Sequence, residues 1–222
     1  MKILTVVPVV KTVGETLPDI IHIPNGKVFS LADKMNRAFQ KAKEGGYDWL
    51  CWRHDDLSIE TPELVEPQLD LAYRNGARVC GVIGSLICSD SRWWVHKRPV
   101  LTAGGIMQGD GKGGFYPMID CAGFNPNMVL LDGCCMWIHK DLFDVRVPDY
   151  CARHLYDDYI CFSSLARGYK VAVLDVRCAH VSQGGYDMSE YGAAQKKFYE
   201  EWKPRVEFPV IAQSKFNQEK TC

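Results

Sequence analysis

The chain has little of what would set it apart from an ordinary globular protein, and each shortage excludes something. Its 222 residues contain no apolar run of about 18, so a transmembrane helix is ruled out. Neither charge dominates: 26 basic and 27 acidic residues leave a net charge of −1. A broad electrostatic grip on nucleic acid or an anionic membrane is therefore not expected, and only a local basic patch could serve. No Cys-x-x-Cys pair occurs among the ten cysteines, which argues against a structural zinc site. The cysteines are also too dispersed for the disulfide framework of a small secreted protein, and several lie in apolar runs, as in Trp49-Leu50-Cys51-Trp52. They read as reduced, small hydrophobes in a reducing cytosol. Met1 to Pro8 lacks the h-region and small-residue cleavage site of a signal peptide and reads as a first strand. There is no internal repeat. With 47% hydrophobic and 24% charged residues, the chain can bury the core of one domain.

What is present is an alternation of strand and helix patterns. Ile3 to Val10 is a nearly unbroken β-branched run, the pattern of a strand buried on both faces. Asp19 to Asn25 predicts a second short strand ending in a Pro-Asn-Gly turn. A helix follows, capped by Ser30 with Asp33 at the capping-box position. Its apolar face is Leu31, Met35, Ala38, Phe39 and Ala42, and Gly45-Gly46 ends it. Tyr47 to Trp52 is the next strand. Thr61-Pro62-Glu63 opens a helix that Pro67 should delay or bend, and Arg78 to Ser85 is another buried strand. Val129 to Ile138 returns to the core pattern. Tyr156 to Gly168 predicts a helix, Tyr169 to Leu174 a last strand, Val176 to Val181 an extended segment, and Ala193 to Lys203 a helix. The expected organisation is one α/β domain over residues 1–205, with a mostly parallel central sheet flanked by helices. Residues 88–128 read as a loop-rich insertion or a meander of short strands, and 206–222 as a weakly held tail.

Three positions can carry chemistry. His54-Asp55-Asp56 directly follows a buried strand, and open α/β sheets bind ligands beyond the carboxyl ends of their strands. Two carboxylates there can hold Mg²⁺ or Mn²⁺, or simply cap a turn. Asp157 and Asp158 open a helix, where the dipole favours acids; either could also be a general base in a closed cleft. His180 follows the Val176–Val181 segment and is either a satisfied structural histidine or a nitrogen ligand to the same metal. Trp93 and Trp94 can stack on a sugar or nucleobase, or pack within a loop. The glycine cluster 109–114 reads as a lid over a ligand or as a surface loop, and Lys97, Arg98 and Lys112 could meet phosphate by charge alone.

Taken in order, these pieces resemble the GT-A-fold glycosyltransferases, a nucleotide-diphospho-sugar transferase fold of Rossmann-like type. The resemblance rests on His54-Asp55-Asp56, Gly81-Val82-Ile83-Gly84-Ser85, Trp93-Trp94, Asp132-Gly133-Cys134-Cys135-Met136, Tyr156-Asp157, Gly168-Tyr169-Lys170-Val171 and His180-x-Ser182-x-Gly184. It is nearest to small family 2-like bacterial and phage members and runs from Met1 to about Lys203. It implies an enzyme, a metal-dependent and inverting glycosyltransferase using Mn²⁺ or Mg²⁺ and a nucleotide-sugar donor, a UDP-sugar by base rate. On it, Asp55 and Asp56 take the place of the Asp-x-Asp element, although here the two acids are adjacent. Asp56 would bind metal and Asp55 would contact ribose or sugar. His180 corresponds to the late metal ligand, and Asp157, or Asp158 beside it, to the catalytic base. Pro8, with Val9 and Val10, stands where relatives place nucleotide-contacting residues, and departs from their pattern. The acceptor would be a glycan, a protein or a modified base of phage DNA, and the setting the cytoplasm (a host's, if phage-encoded). Two other classes compete. A nucleotidyltransferase would carry a Gly-rich basic loop after the first strand, where Pro8 to Gly14 holds one glycine. A non-catalytic nucleotide- or sugar-binding module would not need Asp56, Asp157 and His180 together.

Overall fold

A computed structural model describes residues 1–9, 20–24, 30–89, 102–121, 123–181 and 188–211. Trp93, Trp94, Lys97, Arg98, Ser182, Gly184 and the Asn25-Gly26 turn lie outside the described residues. Strand β1 (Ile3–Val9) is flanked in parallel by β2 (Ile20–Pro24) and β3 (Trp49–Arg53), with Thr5 opposite both Ile20 and Cys51. Helix α1 (Leu31–Glu44) joins β2 to β3. Its capping box is complete: Asp33 N–H donates to Ser30 Oγ at 3.1 Å, and Ser30 N–H donates to Asp33 Oδ2 at 3.2 Å. Ala32, Met35, Ala38, Phe39 and Ala42 are buried beneath it, and so is Lys34. A 3₁₀ turn (Pro62–Leu64) precedes α2 (Val65–Arg74), so Pro67 falls in the first helical turn, where its missing N–H costs nothing. Thr61 does not cap this helix; its Oγ1 accepts from Arg177 N–H at 3.0 Å instead.

The apolar run from residue 77 to 85 splits at Val82 into β5 (Ala77–Gly81) and β6 (Ile83–Ser85), and the halves enter different sheets. After β7 (Ile87–Cys88) come a hairpin, β8 (Thr102–Gly109) and β9 (Phe115–Cys121), then β10 (Asn125–Met128), β11 (Leu130–Leu131) and β12 (Cys135–His139). Helix α3 (Tyr156–Ala166), β13 (Lys170–Val173), β14 (Cys178–His180), α4 (Met188–Trp202) and β15 (Val210–Ile211) complete the order.

The first sheet runs β10-β13-β5-β12-β3-β1-β2 and the second β11-β6-β8-β14-β4, with β9 on β8. The expected mostly parallel sheet is seen in part: β13, β5, β3, β1 and β2 run the same way. Strand β12 runs antiparallel between β3 and β5, and β10 runs antiparallel to β13, so the sheet is mixed. The architecture is α/β, a mixed sheet flanked by helices. The described cysteines 51, 80, 88, 134, 135, 151, 161 and 178 are all buried and unbridged, which is how small hydrophobes behave. Within the stretch read as a tail, Val206 and Val210 are 3% and 0% exposed, and β15 pairs with β7.

Candidate functional site

The two sheets meet where β3 ends. His54 N–H donates to Cys134 O at 2.8 Å, and this bond turns the chain out of the first sheet. It re-enters the second sheet as β4 (Leu57–Ile59), whose Leu57 lies opposite His180 on β14. Val181 N–H donates to Asp56 O at 3.1 Å and fastens the turn to the end of β14. Residues 54–56 and residue 180 are thus brought together by two ladders that share one junction.

That junction gathers His54, Asp56 and His180, whose ligand atoms all lie within 4.8 Å of one another. His180 Nε2 is 3.2 Å from Asp56 Oδ1 and 3.4 Å from His54 Nδ1. Two ligands bound to one ion at about 2.0–2.2 Å sit roughly 3–3.5 Å apart, so the spacing suits a divalent cation. Two imidazole nitrogens and one carboxylate oxygen also suit a first-row metal better than an all-oxygen cage would. The residues present therefore fit a metal. Burial pushes the His54 imidazole below its ordinary pKa, against the pull of Asp132, and so favours the neutral form that can ligate.

This set contains Asp56 and His180, which the resemblance gives as metal ligands, and adds His54. Asp55 is exposed in the turn and is not part of the cluster. Residues i and i+2 of the turn converge on the same point. Pro8 is buried within β1, opposite Ile23 and beyond the last β1–β3 pair at Val6, where its missing N–H spoils no ladder bond to β3.

Asp157 stands on a neighbouring structure. Leu155 adopts a left-handed φ of 65°, an uncommon conformation for leucine, and α3 starts immediately after it. Asp157 Oδ2 accepts from Gly133 N–H at 2.8 Å, and Tyr156 Oη donates to Gly133 O at 3.1 Å. A Cβ at residue 133 would lie 2.3 Å from Tyr156 Oη and 3.0 Å from Asp157 Oδ2, so only glycine permits this approach. Burial, with the charge of Asp132 second, raises the Asp157 carboxyl to a pKa of about 7. Asp158, by contrast, is 2% exposed and belongs to the buried side of α3. The glycine cluster 109–114 is a closed hairpin turn: Asp110 Oδ1 accepts from Lys112 N–H at 2.7 Å and from Gly114 N–H at 2.9 Å.

Two further residues escape a sequence reading. Asp132 acts electrostatically on both His54 and Asp157; the sequence gives it no role beyond its place in the Asp132-Gly133-Cys134-Cys135-Met136 segment. Lys34 is 0% exposed, and its Nζ has no hydrogen-bond acceptor among the described residues. Burial lowers its pKa. Helix α1 runs against the parallel strands it connects, so its first turn lies at their carboxyl ends, the end that carries His54. Lys34 stands at the start of that helix, four residues after the Ser30 cap. Its linear signal is a lysine inside an apolar stripe, at i+3 from Leu31 and i−4 from Ala38.

No protein-family model matches the chain, and no curated protein matches it. Among solved structures it is similar to the crystal structure of A197 from STIV, with a TM-score of 0.53 and 12% identity over 82% of this chain and 87% of that one. It is also similar to apo UDP-glucose pyrophosphorylase, at 11% identity over 82% of this chain and 64% of that one, but the TM-score of 0.37 is too low to bear on the argument. The first likeness shows a shared fold. Among the described residues no helix is long and apolar enough to cross a membrane.

Proposed function

We propose that the protein is a metal-dependent glycosyltransferase that moves a sugar from a nucleoside diphosphate to an acceptor hydroxyl with inversion. The observation that carries this reading is the convergence of His54, Asp56 and His180 on one point at the carboxyl ends of the strands. The raised carboxyl of Asp157 nearby supports it. His54, Asp56 and His180 would hold a divalent ion, Mn²⁺ in preference to Mg²⁺ given the two imidazoles, whose chemistry when bound is to neutralise a departing diphosphate. Lys34 supplies a second positive charge toward that leaving group, and Asp55 reaches the donor's ribose or sugar from the exposed turn. Asp157 is the base in preference to Asp158, because it is the less buried of the two and a pKa near 7 suits proton abstraction at neutral pH. It takes the acceptor hydroxyl's proton as that oxygen bonds to the anomeric carbon. The bond from that carbon to the diphosphate breaks with its electron pair going to the diphosphate, and one displacement inverts the centre. The donor is a uridine diphosphate sugar, the acceptor a glycan, a protein or a modified DNA base, and the setting the cytoplasm.

The test is incubation with a panel of nucleotide sugars and Mn²⁺, with and without acceptors, following nucleoside diphosphate release. Release that needs both metal and acceptor supports the proposal. Release of inorganic pyrophosphate from a nucleoside triphosphate and a sugar phosphate would instead make the protein a nucleotidyltransferase. Metal-dependent binding of nucleoside diphosphate without turnover of any donor would make it a binding module.

A further inference from the structure

The β8–β9 hairpin, which the sequence presents as an insertion, reaches the metal cluster through one buried side chain. Gln108 is 4% exposed and lies opposite His180 in the parallel β8–β14 ladder, so both side chains project from the same face. Its amide makes two contacts with that one residue. Gln108 Nε2 donates to His180 O at 3.4 Å, and Gln108 Oε1 lies 3.3 Å from His180 Nδ1. A backbone carbonyl can only accept, so the first contact fixes which end of the amide carries the NH₂ group. The oxygen is then the atom facing Nδ1, and an oxygen there requires Nδ1 to carry the proton. In a neutral imidazole the other nitrogen, Nε2, must then hold its lone pair. Nε2 faces His54 Nδ1 at 3.4 Å and Asp56 Oδ1 at 3.2 Å, and that carboxylate competes with Gln108 for the ring proton unless a cation lies between it and Nε2.

We infer that Gln108 is a positioning residue that locks His180 in the Nδ1–H tautomer and so presents Nε2 to a divalent cation. The inference rests on the metal site proposed above. Ligating histidines commonly have their second nitrogen held in this way, by a carboxylate or carbonyl, and loss of the partner typically weakens metal binding about 10–100-fold. Here the partner comes from a strand that supplies no ligand, and the amide grips both the ring and the backbone of the ligand it orients. The hairpin is in this sense a structural part of the metal centre.

Two measurements test this, and the first needs no metal. In the metal-free protein at pH 8, the ¹⁵N shifts of the His180 ring, assigned by their loss in His180→Ala, report which nitrogen is protonated. The expected result is Nδ1–H; an Nε2–H ring in the folded wild type overturns the inference. The second is Mn²⁺ affinity by titration of the free-ion EPR signal, on protein whose folding is checked by circular dichroism. Gln108→Met, similar in size but without the amide, is expected to weaken Mn²⁺ about 10–100-fold. Gln108→Glu keeps an acceptor at Nδ1–H and is expected to stay within about threefold of wild type. A Gln108→Met protein that binds Mn²⁺ like wild type overturns the inference. A wild type that binds no divalent metal overturns the proposed function instead, and the tautomer measurement still decides the role of Gln108.

Discussion

Asp157 shows most clearly how the proposed site would set function against stability. Its carboxyl is raised from 3.8 to about 7 in the folded protein, so folding takes up a proton between those values. Stability from this group is full below about pH 4 and is lost as pH rises through 7. Asp157→Asn, which has no charge to bury, is therefore expected to be more stable than wild type above pH 8, by about 1–3 kcal/mol, and to gain nothing at pH 4. Urea denaturation at the two pH values measures this. The same substitution should abolish transfer while nucleoside diphosphate still binds, and wild-type kcat/KM should rise with pH to a plateau above about 7. The three-ligand cluster makes a sharper statement about its neighbours in sequence. Alanine at His54, Asp56 or His180 should each weaken Mn²⁺ at least about tenfold, whereas Asp55→Ala should change it less than about twofold by calorimetric titration. Equal losses at 55 and 54 would restore the adjacent-acid reading. Lys34→Met removes a buried ammonium that lacks an acceptor among the described residues, so the protein should become more stable to heat. It should also bind nucleoside diphosphate more weakly, a pairing of gain and loss that a purely structural lysine would not give.

The elements that aim these side chains were legible in unequal degree. Helix α1 could be read closely, because a capping box, an apolar stripe and a Gly-Gly stop are all local signals. The start of α3 at Tyr156 was legible for similar reasons, although the left-handed Leu155 that points it has no sequence signature. The second sheet was legible only in pieces: β6 and β14 fall in runs read as extended, and β8 and β9 in the stretch read as an insertion or a meander, but β4 and β11 are two or three residues long, too short to show a period of two. The site suffered accordingly. Asp56 and His180 could be named from their positions after strand-like runs, but His54 and Asp132 join them only through tertiary closure. Of the adjacent pair Asp55-Asp56 it is Asp56 that belongs to the cluster, and His54 joins it because the turn brings i and i+2 together. Close packing between strands gives a test of how far the site depends on them. A Cβ on Gly109 would lie 2.0 Å from Val181 O, one residue from both Gln108 and His180. Gly109→Ala must therefore part β8 from β14. It is expected to weaken Mn²⁺ binding about tenfold or more while leaving the first sheet folded, read by metal titration and by near-native far-UV circular dichroism.

The described residues form two large sheets joined through shared segments and a small β7–β15 sheet, and stability must come from the core that they cover. Trp49, Trp52, Trp137 and Trp202 are each no more than 2% exposed, and the last lies on α4, far along the chain from the other three. Around Trp202 an aromatic cluster forms: Phe162 lies 5.3 Å from it between ring centroids, Phe198 6.2 Å and Tyr159 5.6 Å. Phe208 stacks on Phe162 at 6.0 Å and meets Tyr199 edge-on at 4.7 Å. Residues 206–211 close this cluster from outside, with Val206 and Val210 buried and β15 paired to β7. Composition alone could not reveal this, since a polar, mixed C-terminal stretch with isolated valines reads as a tail when the partner strand is two residues long and more than a hundred positions away. A chain ending at Arg205 would lose two buried valines, at about 1.5–3 kcal/mol each, together with the Phe208 contacts. The sum is comparable with the whole stability of a typical domain, about 5–15 kcal/mol. That truncation is expected to be largely unfolded or aggregated at 37 °C, whereas a chain ending at Gln213 should melt within a few degrees of the full-length protein. Equal melting temperatures for the two would mean that residues 206–211 are an appendage and that the domain ends where the sequence pattern suggests.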